Sequence, residues 1–286
     1  MTQPAPDGSG TTVWTRFVAI GDSFTEGMCD DDPDFGHDGE FAGWADRLAS
    51  HLSEIARGAG VDFGYANLAV RGRKLDDVVG PQLDAAMTMQ PDLVSMVGGG
   101  NDLLRPQVDL DGLASRLEEA VVRIRHGGAD VLLATPTDTR DAGLFKPLRG
   151  RHAVHTANLF TIAQRHGCFV LNLWGMAALR DWRMWAEDRI HLTSEGHRRV
   201  ALSALAALGH RTDLADWTTP LPPADRATRG AELRGHAAWA RTHAGPWVQR
   251  RMQGRSSGDT VSAKRPRLEH FRDPEGEPVH QALPEG

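Results

Sequence analysis

The sequence predicts an α/β protein with a five-stranded parallel sheet covered by helices on both faces, and three observations carry that prediction. Short apolar runs alternate with stretches of helical periodicity five times before residue 211. Each run stops at a turn rich in glycine or polar residues, as strands do at their carboxyl ends. The residues with chemical potential, Ser23, Gly72 and Asn101, fall just after the first three runs. Ligands of open α/β sheets bind at that rim.

The elements follow in order. Phe17-Val18-Ala19-Ile20 reads as the first strand and ends at Gly21-Asp22-Ser23. After an acidic loop, Trp44, Leu48, Leu52 and Ile55 recur at helical spacing. Phe63 to Val70 makes a second strand, ending at Arg71-Gly72-Arg73. Leu75, Val78, Val79, Leu83 and Met87 mark a helix that Gly80-Pro81 is expected to divide. Asp92 to Val97 forms the third strand, closed by Gly98-Gly99-Gly100-Asn101-Asp102. Leu113, Leu117, Val121 and Ile124 give a helix stopped at Gly127-Gly128. A strand over Val131 to Ala134, a helix over residues 152 to 166, a strand over Phe169 to Leu173 and a last helix carrying Val200, Leu202, Leu205 and Leu208 complete the pattern. This alternation implies parallel strands joined by crossover helices.

Composition narrows the function classes. With 286 residues, 40% hydrophobic and 24% charged, the chain is able to bury a full core. A formal charge of −6 offers no global attraction to nucleic acid or to an anionic membrane. Cys29 and Cys168 make no disulfide framework, and no CxxC or Cys/His motif suggests zinc. No segment nears the roughly eighteen consecutive apolar residues of a membrane span. The polar, Pro/Gly-rich start has no signal-peptide core, so a cytoplasmic setting is expected.

The expected organisation is a flexible leader over residues 1–15, an α/β domain over 16–210, a helical extension over 211–254 and a disordered tail over 255–286. Pro220, Pro222 and Pro223 mark the linker, and Leu233, Ala237, Trp239, Ala240, Trp247 and Val248 supply apolar surface to the extension. The tail is polar, charged and without periodicity. Lys264-Arg265-Pro266-Arg267 reads as part of its solvated surface.

Comparing the loops brings out the chemistry. A serine hydroxyl needs a positioned base at neutral pH. The only downstream Asp-x-x-His is Asp188-Arg189-Ile190-His191, just before the last helix. There His191 suits the base and Asp188 the group that orients it. An oxyanion needs donors in place before its charge forms, and the Ser23 and Gly72 N–H groups with the Asn101 amide make a candidate set.

These blocks resemble the SGNH hydrolases, also called GDSL esterases/lipases, over roughly residues 16 to 210. Gly21-Asp22-Ser23 with Thr25-Glu26-Gly27 is similar to the first block, Asn67-Leu68-Ala69 before Gly72 to the second, Gly99-Gly100-Asn101-Asp102 to the third, and Asp188 with His191 to the fifth. Phe24 stands where the GDSL name has leucine. The resemblance implies a flavodoxin-like three-layer α/β/α sandwich and ester hydrolysis through an acyl-enzyme. Ser23, Gly72, Asn101 and His191 would hold the four name-giving positions, with Asp188 completing the triad. It implies a small acyl ester as substrate; the mechanism needs no metal or cofactor, and the charge balance argues against nucleic acid and stable membrane association. Alternatives on the same fold are an acyltransferase using the same triad and a non-hydrolytic binding module; the complete residue set argues against the second.

Other residues read more plainly. Asp30, Asp32 and Asp34 imitate a calcium loop, but Phe35 and Phe41 occupy the positions that need glycine and glutamate. His152 and His155 read as a surface pair rather than metal ligands. Trp174, Trp182 and Trp185 read first as packing under a loop. Asp22 and Asp102 are expected to tie loops to main-chain amides.

Overall fold

A computed structural model of the chain describes residues 12–32, 41–223, 239, 242 and 258–271. Its sheet runs β5-β4-β3-β1-β2-β6, where β1 is Arg16–Ile20, β2 Gly64–Asn67, β3 Leu93–Met96, β4 Asp130–Ala134, β5 Phe169–Leu171 and β6 Arg265–His270. The first five strands are parallel, and β6 joins β2 antiparallel.

Why the strands read as unbroken apolar runs follows from their two covered faces. Phe17 and Ala19 of β1 face a cluster with Tyr65, Leu93, Leu132 and Leu171, under helices α2 (Trp44–Gly58) and α8 (Ser194–Ala207). Val18 and Ile20 face the opposite cluster with Val94, Met96, Val131 and Leu133. Covering that face are α3 (Leu75–Asp77), α4 (Leu83–Thr88), α6 (Leu110–His126) and α7 (Arg149–His166). This is the three-layer arrangement that the period-two alternation of buried side chains requires. The short helices α1 (Ser23–Glu26) and α5 (Gly100–Leu103) follow β1 and β3. The strand order reverses between β2 and β3 on the two sides of β1, so the crevice between the ends of β1 and β3 is the switch point.

Three expectations are corrected. The sheet has six strands, not five, because β6 lies within the segment 255–286 expected to be disordered. Its six residues carry no local apolar pattern, and the stabilising partners are distant. The main chain pairs with β2, Leu268 packs on one core cluster and Phe271 on the other, and the Lys264 Nζ donates to Asp46 Oδ2 at 2.6 Å and to Phe41 O at 2.8 Å. The second correction concerns the leader, expected to be flexible over 1–15. Trp14 is buried and its Nε1 donates to Asp130 Oδ2 at 3.0 Å, while Thr15 N donates to Asp92 Oδ2 at 2.7 Å. The third is the Gly80-Pro81 interruption. The helix is not divided there but widened into a π turn, Val78–Gln82, which absorbs the proline without its N–H.

Of the expected helical extension, α9 (Leu214–Thr218) is helical. Residues 224–238, 240–241 and 243–254 lie outside the described residues, as do 1–11, 255–257 and 272–286 of the leader and tail. Among the described residues no helix is long and apolar enough to cross a membrane.

Candidate active site

The turn after β1 is held from several directions. Asp22 caps α1 by accepting from Phe24 N at 3.1 Å, which leaves Ser23 as the first helical residue. Gln82, presented by the π turn, bonds both main-chain groups of Gly21. Asn67 at the end of β2 donates from Nδ2 to Thr25 O at 2.9 Å, and buried Glu26 accepts from Arg71 N at 2.6 Å and Arg71 Nε at 2.8 Å. Thus the Ser23 turn and the Gly72 turn are one tied unit. Gly72 itself adopts φ 75°, a left-handed conformation that a side chain would strain.

The third loop closes the same rim. Asn101 Nδ2 donates to Arg73 O at 2.9 Å and lies 3.3 Å from Asp22 Oδ2. Asp102 Oδ2 accepts from Leu75 N at 2.9 Å, which fastens the loop to α3. Burial pushes the Asp22 carboxyl up to about 6. His155 is buried rather than on the surface. Its ring lies against Gly99, Nε2 is 3.3 Å from Gly98 O, and burial pushes its pKa down to about 4. Its neighbour His152 is half-buried and lines the cleft, so the expected surface pair is instead a packed one.

The fourth loop carries the Asp-x-x-His. It is pinched by a bridge between Trp185 and Leu192, with Ala186 N donating to His191 O at 2.8 Å. Within it Asp188 Oδ1 accepts from the Ile190 and His191 amides at 2.9 and 3.0 Å, an Asx-type turn made possible by the left-handed Arg189 at φ 57°. The remaining oxygen, Oδ2, meets His191 Nδ1 at 2.5 Å. Burial alone would raise Asp188, but its bonds to His191 lower it to about 2. Burial alone would depress His191, yet Asp188, with Cys29 beside it, lifts the imidazole to about 9.

Ser23, Gly72, Asn101, Asp188 and His191 all line one cleft of about 510 Å³, together with apolar walls from Val97, Leu104, Leu148 and Leu173. Trp182 and Trp185 line it too, whereas Trp174 lies under the Arg149 guanidinium. Asp30, considered above for calcium, is instead occupied by Arg47 through two bonds of 2.8 and 2.9 Å.

Several contributors were not singled out by sequence reasoning. Cys29, Gln82 and Arg189 come within reach only through folding. Trp239 Nε1 donates to Asp188 O at 3.0 Å, and Arg189 sits between the Trp182 and Trp239 rings, 5.4 and 5.2 Å from their centroids. The one available signal was position: Cys29 follows Ser23 within the same turn, and Arg189 lies inside the Asp-x-x-His.

The chain matches the model of the GDSL-like lipase/acylhydrolase family over residues 19–199. It therefore belongs to that family of hydrolases. No curated protein matches the sequence. Among solved structures it is similar to LAE5, an α/β hydrolase enzyme from the metagenome of Lake Arreo, Spain, with 24% identity, 68% of this chain and 95% of that one covered, and a TM-score of 0.56. It is also similar to Axe2, an acetylxylan esterase from Geobacillus stearothermophilus (20%, 69% and 95%, TM-score 0.56), and to TesA (20%, 67% and 97%, TM-score 0.54). At these identities the likeness establishes the fold.

Proposed function

We propose that this protein is a serine esterase that hydrolyses carboxylic esters through an acyl-enzyme intermediate. The observation that carries the proposal is the convergence, from four separate loops, of Ser23, Gly72, Asn101 and the bonded Asp188–His191 pair on one cleft. In this reading Ser23 Oγ attacks the ester carbonyl while His191 Nε2 takes its proton. Asp188 keeps the Nδ1 hydrogen in place and stabilises the imidazolium. The carbonyl oxygen gathers negative charge and is met by the Ser23 and Gly72 N–H groups and by Asn101, whose Nδ2 turns a hydrogen from Asp22 to the oxyanion. Collapse expels the alcohol, which leaves with the proton from His191. Water then repeats the sequence on the acyl-enzyme and restores the free serine.

The apolar walls of the cleft favour an acyl or alcohol group with hydrocarbon character. Labelling with a fluorophosphonate probe, with a series of p-nitrophenyl esters of rising chain length alongside, tests the assignment. Wild-type protein is expected to be labelled at Ser23 and to hydrolyse the esters, and Ser23→Ala to do neither. A labelled or fully active Ser23→Ala protein would rule out the serine mechanism.

A further inference from the structure

Beside the Asp188–His191 pair lies a thiol that the hydrolytic scheme leaves idle. Cys29 follows α1 in a left-handed conformation, φ 69°, and is half-buried. Non-glycine residues are uncommon there and stay only where their surroundings hold them. Here the next residue does the holding, since buried Asp30 is gripped by the Arg47 guanidinium and by Gly43 N at 2.9 Å. The Cys29 main chain is thereby fixed facing the fourth loop.

Cys29 Sγ, a ring nitrogen of His191 and a carboxylate oxygen of Asp188 lie within 4.8 Å of one another. Among the described residues this is the only such cluster of three metal-ligating groups. Thiolate, imidazole and carboxylate are the ligand types of zinc, and bonds of about 2.0–2.3 Å place tetrahedral ligands roughly 3.3–3.6 Å apart. Closing spacings of at most 4.8 Å to that range takes side-chain shifts of up to about 1.5 Å and leaves the fourth position for water.

We propose that Cys29, Asp188 and His191 form an inhibitory site for a borderline-soft divalent cation, zinc or its analogue cadmium. On binding, the Cys29 thiol gives its proton to solvent and becomes a thiolate ligand. The cation takes a lone pair of the His191 ring, whose other nitrogen then carries the proton, and draws Asp188 from its orienting bond, so the imidazole no longer accepts the Ser23 proton. Hydrolysis stops while the cation stays. The inhibition rests on the esterase reading above; the binding does not. Cys168 offers no competing site, because it lies buried in the core on the other face of the sheet, where burial pushes its thiol up to about 11.

The test is a cadmium titration of full-length Ser23→Ala protein, read by the ultraviolet thiolate-to-cadmium charge-transfer absorption. One cadmium per chain is expected, with the absorption kept in a Cys168→Ser background and lost in both Cys29→Ala and Cys29→Ser. Two Cys29 variants are used so that one folded protein, verified by thermal melting, is in hand. His191→Ala is expected to weaken binding by about tenfold or more. In wild-type protein, zinc should suppress ester hydrolysis reversibly to chelator, and the Cys29 variants, each compared with its own metal-free rate, should need about tenfold more zinc. Absence of a Cys29-dependent absorption, or equal zinc sensitivity with and without Cys29, would overturn the proposal. Cadmium absorption in a wild-type protein with no metal-free ester turnover would keep the site and remove the esterase reading instead.

Discussion

Gln82 holds Gly21 by both of its main-chain groups, donating from Nε2 to the carbonyl at 2.9 Å and accepting from the amide at Oε1 at 2.7 Å. This side chain stands in for a strand neighbour just where β1 ends and the Ser23 turn begins. Replacing it by methionine, similar in size but without either polar group, leaves the buried Gly21 N–H unpaired at about 1–3 kcal/mol, while the Gly21 carbonyl keeps only its 3.3 Å bond from Val70 N. Gln82→Met is expected to lower the urea midpoint and to reduce kcat by loosening the turn. A variant with wild-type midpoint and kcat would show that the clamp is dispensable.

Asn101 is a second point of attack. If its amide meets the oxyanion, Asn101→Ala costs roughly 2.7–4 kcal/mol of transition-state stabilisation. The loss should appear in kcat rather than KM. A rise in KM alone would make Asn101 a ground-state contact. Gly72→Val, at a left-handed φ of 75°, is expected to impair the same step by straining the donor loop.

The pH profile follows from His191, which acts as base only when neutral. With its pKa lifted to about 9 by Asp188 and Cys29 against the opposing effect of burial, kcat/KM for a neutral ester is expected to climb through the range from 6 to 8, reach half its plateau near 9 and level off above it. Asp188→Asn removes the larger of the two raising partners. Its profile should level off at lower pH while the plateau falls. Identical midpoints in the two proteins would separate the profile from His191.

The carboxyl-terminal strand supplies a stability prediction. Lys264 and Asp46 form a buried pair, their side chains 8% and 4% exposed. Removing Lys264 leaves the Asp46 carboxylate with only Arg265 Nε at 3.3 Å, a cost below the about 3–5 kcal/mol of a wholly unpaired buried charge. Lys264→Ala, and truncation after Gly254, are each expected to lower the melting temperature, and Lys264→Met with Asp46→Leu to recover much of the loss. Unchanged melting of the truncated chain would show that β6 adds nothing to the fold.

How much was legible from the residues differs between elements. The five parallel strands were legible because each is buried on both faces and spells an apolar run such as Phe17 to Ile20. The places where Ser23, Gly72, Asn101 and His191 converge were legible because each follows directly on such an element, or precedes the last helix. β6 was not, since Arg265 to His270 draws its order from main-chain pairing with β2 and from Lys264 and Arg265 meeting Asp46, more than two hundred residues away. His155 misled for a related reason. Its burial depends on α7 packing against the loop at Gly99, which no local periodicity encodes. The Gly80-Pro81 pair showed that the helix is irregular there, but only the fold reveals that the irregularity delivers Gln82 to Gly21.

The two margins of the sheet also bear on how this chain behaves among its own copies. An open strand margin is a template for recruiting another chain, and proteins blunt it with short strands, charges and proline. At one margin β5 is only three residues long. At the other, β6 presents Arg267 and Glu269, and Pro266 has no N–H to offer. Without β6 the margin would be β2, whose Tyr65 and Ala66 are wholly covered in the intact chain. The charged, proline-bearing strand thus serves as a seal against strand exchange and fibrous association, a role for which its lack of apolar character is the qualification.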